Sequence, residues 1–170
     1  MESSPNLMDC CMPRAIMTCQ IYCGQQTDMR GYIINELSLK LKQELSRFGI
    51  RLEIERCDSS SDIEHSIPLI VICQQSTRLG SDYKSAIKDV PDGGYVAVLI
   101  CHHKDLYSLP KESSKNLLID KEYKKVEAII DTAFTAQKGW YNCNMNNIAY
   151  QQLNAFFRAH PSSHRSCTIL

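Results

Sequence analysis

No charge of one sign dominates this chain: 19 lysines and arginines cancel 19 aspartates and glutamates, and the basic residues form no single run. That argues against a broad nucleic-acid surface, which needs clustered cations to neutralise phosphates. No apolar run approaches the roughly 20 residues that a membrane-spanning helix requires. The opening Met1-Glu2-Ser3-Ser4-Pro5 lacks the basic-then-apolar plan of a secretory leader, so the expected compartment is the cytosol. There is no GxxxxGK[ST] phosphate loop, which excludes a small GTPase. CxxC and HxxxH spacings are missing too, so Cys23, Cys57, Cys73, Cys101, His102 and His103 assemble into a zinc site only on paper. No metal and no cofactor is expected.

Cysteine, by contrast, is plentiful, at nine residues. Cys19, Cys23, Cys57, Cys73 and Cys101 lie in or at the ends of apolar, strand-like runs, where a thiol acts as a small hydrophobe. The odd number and the reducing compartment point to free thiols rather than disulfides. A Cys–His nucleophile pair is poorly served by Cys101 and His102, because adjacent strand residues point to opposite faces. No catalytic residue is assigned.

The chain's organising stretch is residues 67–73, Ile-Pro-Leu-Ile-Val-Ile-Cys, with a counterpart at 95–101, Tyr-Val-Ala-Val-Leu-Ile-Cys. Continuous β-branched runs of this length read as strands buried on both faces, the pattern of a parallel sheet between helix layers. A first strand is expected over 15–23, followed by a turn in which Thr27 or Asp28 caps a helix over 29–48. In that helix Ile33, Leu37, Leu41, Leu45 and Phe48 form the apolar stripe and Gly49 provides the stop. Ile50, Leu52 and Ile54 alternate with Arg51, Glu53 and Glu55, a strand with one wet face near a sheet edge.

Only residues 58–66 separate this strand from the central one, short for a right-handed crossover, with one helical turn expected over 62–65. A short helix over 81–89, a polar loop at 102–105 and a fifth strand over 116–119 follow. Val126, Ile129, Ile130, Ala133 and Phe134 then read as the stripe of a helix stopped by Gly139, and a last helix covers 147–159. The expected architecture is a three-layer α/β domain over 15–160, with a mostly parallel open sheet of about five strands. Polar tails at 1–14 and 161–170 flank it.

In an open parallel sheet the strand C-termini line one edge, and ligands settle there at the switch point. Residues 21–27 and 70–76 echo one another: a strand, a terminal cysteine, two glutamines and a hydroxyl residue. Gly24, Gln25, Gln26, Thr27, Asp58, Ser76, Thr77, Arg78, His102 and His103 would all face that crevice. Backbone N–H groups there, with Arg78, could hold a phosphate or carboxylate. The same residues equally suit ordinary polar loops between strand and helix.

The order of short helix, serine and apolar strand over 61–72 resembles the middle of Toll/interleukin-receptor (TIR) domains and of nucleoside deoxyribosyltransferase-like domains. The resemblance extends over 15–104 and implies a flavodoxin-like or TIR-like sheet. The hydrolases among those families carry a glutamate in the helix after this strand. Here that helix reads Ser81-Asp82-Tyr83-Lys84-Ser85-Ala86-Ile87, and the tryptophan–cysteine pair of TIR domains is missing as well.

Cys167-Thr168-Ile169-Leu170 resembles a C-terminal prenylation box, with leucine as the selector associated with geranylgeranylation. The resemblance implies lipidation at Cys167 by a prenyltransferase and partial residence on the cytosolic face of a membrane. The expected function is a lipid-anchored interaction or adaptor module that presents a surface to a protein partner. The alternative is a small-ligand or nucleotide-binding enzyme using the strand-end crevice.

Overall fold

A computed structural model describes residues 15–119 and 126–161; the tails, Cys167 among them, lie outside the described residues. The chain runs β1 (Ala15–Tyr22), α1 (Arg30–Ser46), β2 (Ile50–Cys57), a 3₁₀ turn (Ser60–Asp62), β3 (Leu69–Gln75), α2 (Leu79–Ile87) and β4 (Val96–His103). A second 3₁₀ turn (Leu106–Ser108), a one-turn α3 (Ser114–Leu117), β5 (Ala128–Phe134) and α4 (Asn144–Ala159) complete it. The five strands form one sheet in the order β2-β1-β3-β4-β5, and every neighbouring pair is parallel. This is the doubly wound, flavodoxin-like order, with its switch point between β1 and β3.

Strand alternation sorts the sheet into two cores. Ile70 and Ile72 of β3, with Ala97, Leu99 and Cys101 of β4, face the layer built by α1 and α4. Leu69, Val71 and Cys73, with Val96, Val98 and Ile100, face Tyr83, Ala86 and Ile87 of α2. The two apolar runs are therefore strands buried on both faces, paired in parallel register from Leu69↔Val96 to Gln75↔His102. In α1, Ile33, Leu37, Leu41 and Leu45 are buried at helical spacing. Gly49 follows with φ +75°, a left-handed conformation that glycine adopts without the Cβ penalty. β2 is an edge strand, its buried Ile50 and Leu52 alternating with exposed Arg51 and Glu53.

Three expectations are corrected. Residues 116–119 are not a strand: 114–117 make one helical turn, with Leu118 buried under the sheet and Leu117 and Ile119 exposed. The stripe at Val126, Ile129, Ile130, Ala133 and Phe134 is not a helix but the fifth strand, and Gly139 instead shapes the turn after it, bridging back to Thr135. Neither Thr27 nor Asp28 caps α1 with its side chain; Met29 occupies the cap position. The Thr27 carbonyl accepts the Arg30 N–H, while its hydroxyl goes elsewhere.

The crossover from β2 to β3 contains only the 3₁₀ turn at Ser60–Asp62, slightly earlier than the turn expected over 62–65. With no helix to satisfy its own backbone, this segment leans on Gln20 of β1, itself buried to 2% exposure. Gln20 Nε2 donates to the Asp62 carbonyl at 3.2 Å, and Gln20 Oε1 accepts the Glu64 N–H at 2.9 Å.

Candidate functional site

The C-terminal ends of β1 and β3 bring Gly24, Gln25, Thr27, Ser76 and Thr77 to one edge, as the topology requires. What those groups do there was not legible beforehand. Gln25 Oε1 accepts the Gln74 N–H at 2.6 Å, and Gln25 Nε2 donates to the Gln74 carbonyl at 3.1 Å. The Thr27 hydroxyl donates to Gln74 Oε1 at 2.8 Å, and Gln74 Nε2 reaches the Cys23 thiol at 3.4 Å. Gly24 lies against the Tyr22 ring, where an added Cβ would stand 2.8 Å from the phenol oxygen. Gln26 is exposed.

The β3–α2 loop is likewise committed to the chain itself. Asp82, 7% exposed, accepts the backbone N–H groups of Ser76 and Thr77, both at 2.9 Å, and the Thr77 hydroxyl at 3.0 Å. These are the groups that a bound anion would need. Arg78 is exposed and makes no side-chain cap on α2. Asp58 pairs with Arg56 at 2.9 Å on the surface, and its carbonyl accepts from Arg30 at 3.2 Å. Gln74, Asp82 and Arg30 were not singled out from the sequence; glutamine echoes were the only signal, and they marked a clasp.

His102 is corrected outright. It belongs to β4 rather than to a polar loop, is 2% exposed, and sits on the face opposite Cys101, while His103 is exposed and lies beside the Phe134 ring. Its Nε2 is 2.8 Å from Asp131 Oδ1 on β5. Asp131 Oδ2 accepts the Ser113 hydroxyl at 3.2 Å and the Ser114 N–H at 3.0 Å. Burial alone would raise the Asp131 carboxyl, but hydrogen bonds from His102 and Ser114, with the His102 charge, bring it below its ordinary value. An ionised carboxylate only accepts, so His102 Nε2 donates to Asp131, while the buried Nδ1 has no hydrogen-bond partner among the described residues. The pair ties β4, β5 and α3 together.

Asp131 also borders a cavity of about 410 Å³ beside β5, between the 106–113 segment and the first turns of α4. Its walls carry Leu106, Leu109, Met145 and Ile148.

Burial pushes the Cys73 thiol up to about 12 and raises Cys19, Cys23 and Cys101 above the ordinary thiol value as well. A thiol of that kind is neutral and a poor nucleophile at physiological pH. No group of three or more His, Cys, Asp or Glu among the described residues is arranged to hold a metal ion. No helix among them is long and apolar enough to cross a membrane. No protein-family model matches the chain, and no curated protein matches it.

Proposed function

We propose that this chain is a protein-interaction module whose α/β core serves as a scaffold. The observation that carries the reading is the occupied strand-end edge. Gln25 and Asp82 accept the backbone N–H groups of Gln74, Ser76 and Thr77 and the Thr77 hydroxyl, the donors that a phosphate or carboxylate ligand would otherwise engage. A ligand would have to displace several internal hydrogen bonds, each worth about 0.5–1.5 kcal/mol net, before making its own.

Anchorage belongs to the same proposal and is supported by the order Cys167-Thr168-Ile169-Leu170 alone. A geranylgeranyl group on the Cys167 sulfur, as a thioether, would give reversible membrane residence, since one chain generally needs a second signal for stable binding. Arg158 and Arg165 are too few for a strong polybasic patch.

Native and denaturing mass spectrometry of the full chain from eukaryotic cells tests both parts. The expected result is a prenyl mass on Cys167 and no stoichiometric small molecule. A nucleotide or other small ligand released in one-to-one ratio would replace the module reading with the ligand-binding one. An unmodified Cys167, with wild type and Cys167→Ser equal between membrane and soluble fractions, would remove the anchor.

A further inference from the structure

The last strand of the sheet has one rung of a further strand already built onto it. Asn146, 1% exposed at the start of α4, turns its side-chain amide to Ala133 of β5. Its Oδ1 accepts the Ala133 N–H at 2.8 Å and its Nδ2 donates to the Ala133 carbonyl at 2.9 Å. That amide presents one acceptor and one donor to Ala133, as the C=O and N–H of a residue in a sixth strand would. In a strand the N–H and C=O of alternate residues point to the same side, so Ile129 and Asp131 turn theirs the same way as Ala133, off the sheet. β5 is the sheet's terminal strand, and no strand among the described residues pairs with that edge.

The edge lies at the floor of the 410 Å³ groove, whose lining includes Ile129 and Asp131. One wall, from α4, carries Met145 and Ile148; the other carries Leu106 and Leu109. Ile148 and Leu106 are 45% and 53% exposed. A strand edge left unpaired among the described residues suits an extended backbone, and the groove walls set apolar Leu106, Leu109 and Ile148 beside polar Lys111, Glu112 and Gln152. Main-chain hydrogen bonds supply the affinity, and alternate side chains enter pockets on the two faces.

We infer that this groove takes an extended peptide of a partner protein by strand addition to β5, starting where Asn146 leaves off. Apolar side chains at alternating positions pack on the α4 wall and on the Leu106–Leu109 wall. The position over Asp131 is basic or neutral rather than acidic, because that carboxylate is held ionised inside the groove. The inference rests on the interaction-module reading and names its surface.

The probes are linear nonapeptides selected by phage display on the full chain and then synthesised. N-methylation at successive peptide residues is expected to weaken binding at least tenfold at every second position and little between them. Ile148→Lys and Leu109→Lys, which change partly or largely exposed apolar groups, are each expected to weaken binding at least tenfold with an unchanged circular dichroism spectrum. Amide exchange at Ile129 and Asp131 is expected to slow in the complex. Binding indifferent to N-methylation, or to both wall variants, would overturn the inference; so would a library yielding no binder. A chain that self-associates through this edge, with Ile148→Lys restoring the monomer, would also overturn it, in favour of a second copy. Peptides that map to the strand-end edge overturn the groove but leave the module reading standing, since that reading is decided by mass spectrometry.

Discussion

Gln25 and Gln74 hold each other as two facing residues of an antiparallel ladder do, the side chain of one against the backbone of the other, at 2.6 and 3.1 Å. Gln20 does the same for the β2–β3 crossover, and Asn146 for Ala133. Three amide side chains thus stand in for backbone at places where the regular hydrogen-bond ladder stops.

Replacing Gln25 with Ala leaves the Gln74 N–H and C=O without their partners. The expected loss is about 1–2 kcal/mol of stability with the sheet retained. Urea denaturation monitored by far-ultraviolet circular dichroism measures it. A midpoint equal to wild type would mean that water replaces the clasp at no cost.

The buried His102–Asp131 pair predicts a pH signature. The folded-state value of Asp131 is lowered, so its contribution is fully present above the ordinary aspartate value near about 4 and is lost as pH falls through the folded-state value. Asp131→Asn should destabilise the chain by about 1–3 kcal/mol at neutral pH, and the gap from wild type should narrow below about pH 4. A constant gap between pH 7 and pH 3 would contradict this assignment.

Cys19, Cys73 and Cys101 are at most 1% exposed, and burial raises all three thiols. Iodoacetamide at pH 8 should leave them unmodified in the native chain and label them fully in urea, as read by peptide mass spectrometry. Labelling of Cys73 without unfolding would place its sulfur within reach of solvent.

Two substitutions separate backbone strain from core loss. Gly49→Ala forces φ +75° on a residue with a Cβ, costing about 1–2 kcal/mol. Leu37→Ala, at a site only 1% exposed, opens a cavity under the sheet and costs about 2–5 kcal/mol. Equal melting temperatures for the two variants would contradict that ordering.

The strands over 67–73 and 95–101 and the helix beginning near residue 29 were legible because each is long, continuous and one-signed in its period. β5 was not. Val126, Ile129, Ile130, Ala133 and Phe134 fall at helical spacing, yet the run is short and packs on both faces, where periodicity cannot separate strand from helix. The β-branched Ile129, Ile130 and Thr132 were the signal that favoured a strand. The helical spacing across β5 also conceals the His102–Asp131 pair, whose two halves lie 29 residues apart. His102-His103 looked polar as a pair, but strand alternation buries one ring and exposes the other. The meeting of the β1 and β3 ends follows from the sheet order. Its internal clasp was not visible, because nothing local tells a glutamine that binds a ligand from one that binds the neighbouring strand.

The Gln20 arrangement gives the fold an uneven resistance to opening. A helical crossover would release its amide protons turn by turn, whereas here the Gln20 side chain holds the Glu64 N–H and shares the Asp62 carbonyl with the Cys57 thiol. When that contact breaks, the 60–67 stretch can lift away while β1, β3 and β4 stay paired. Hydrogen exchange at Glu64 would then report a local event well below the free energy of global unfolding. Gln20→Leu would quicken that exchange while leaving the amides at the centre of β4 as slow as before.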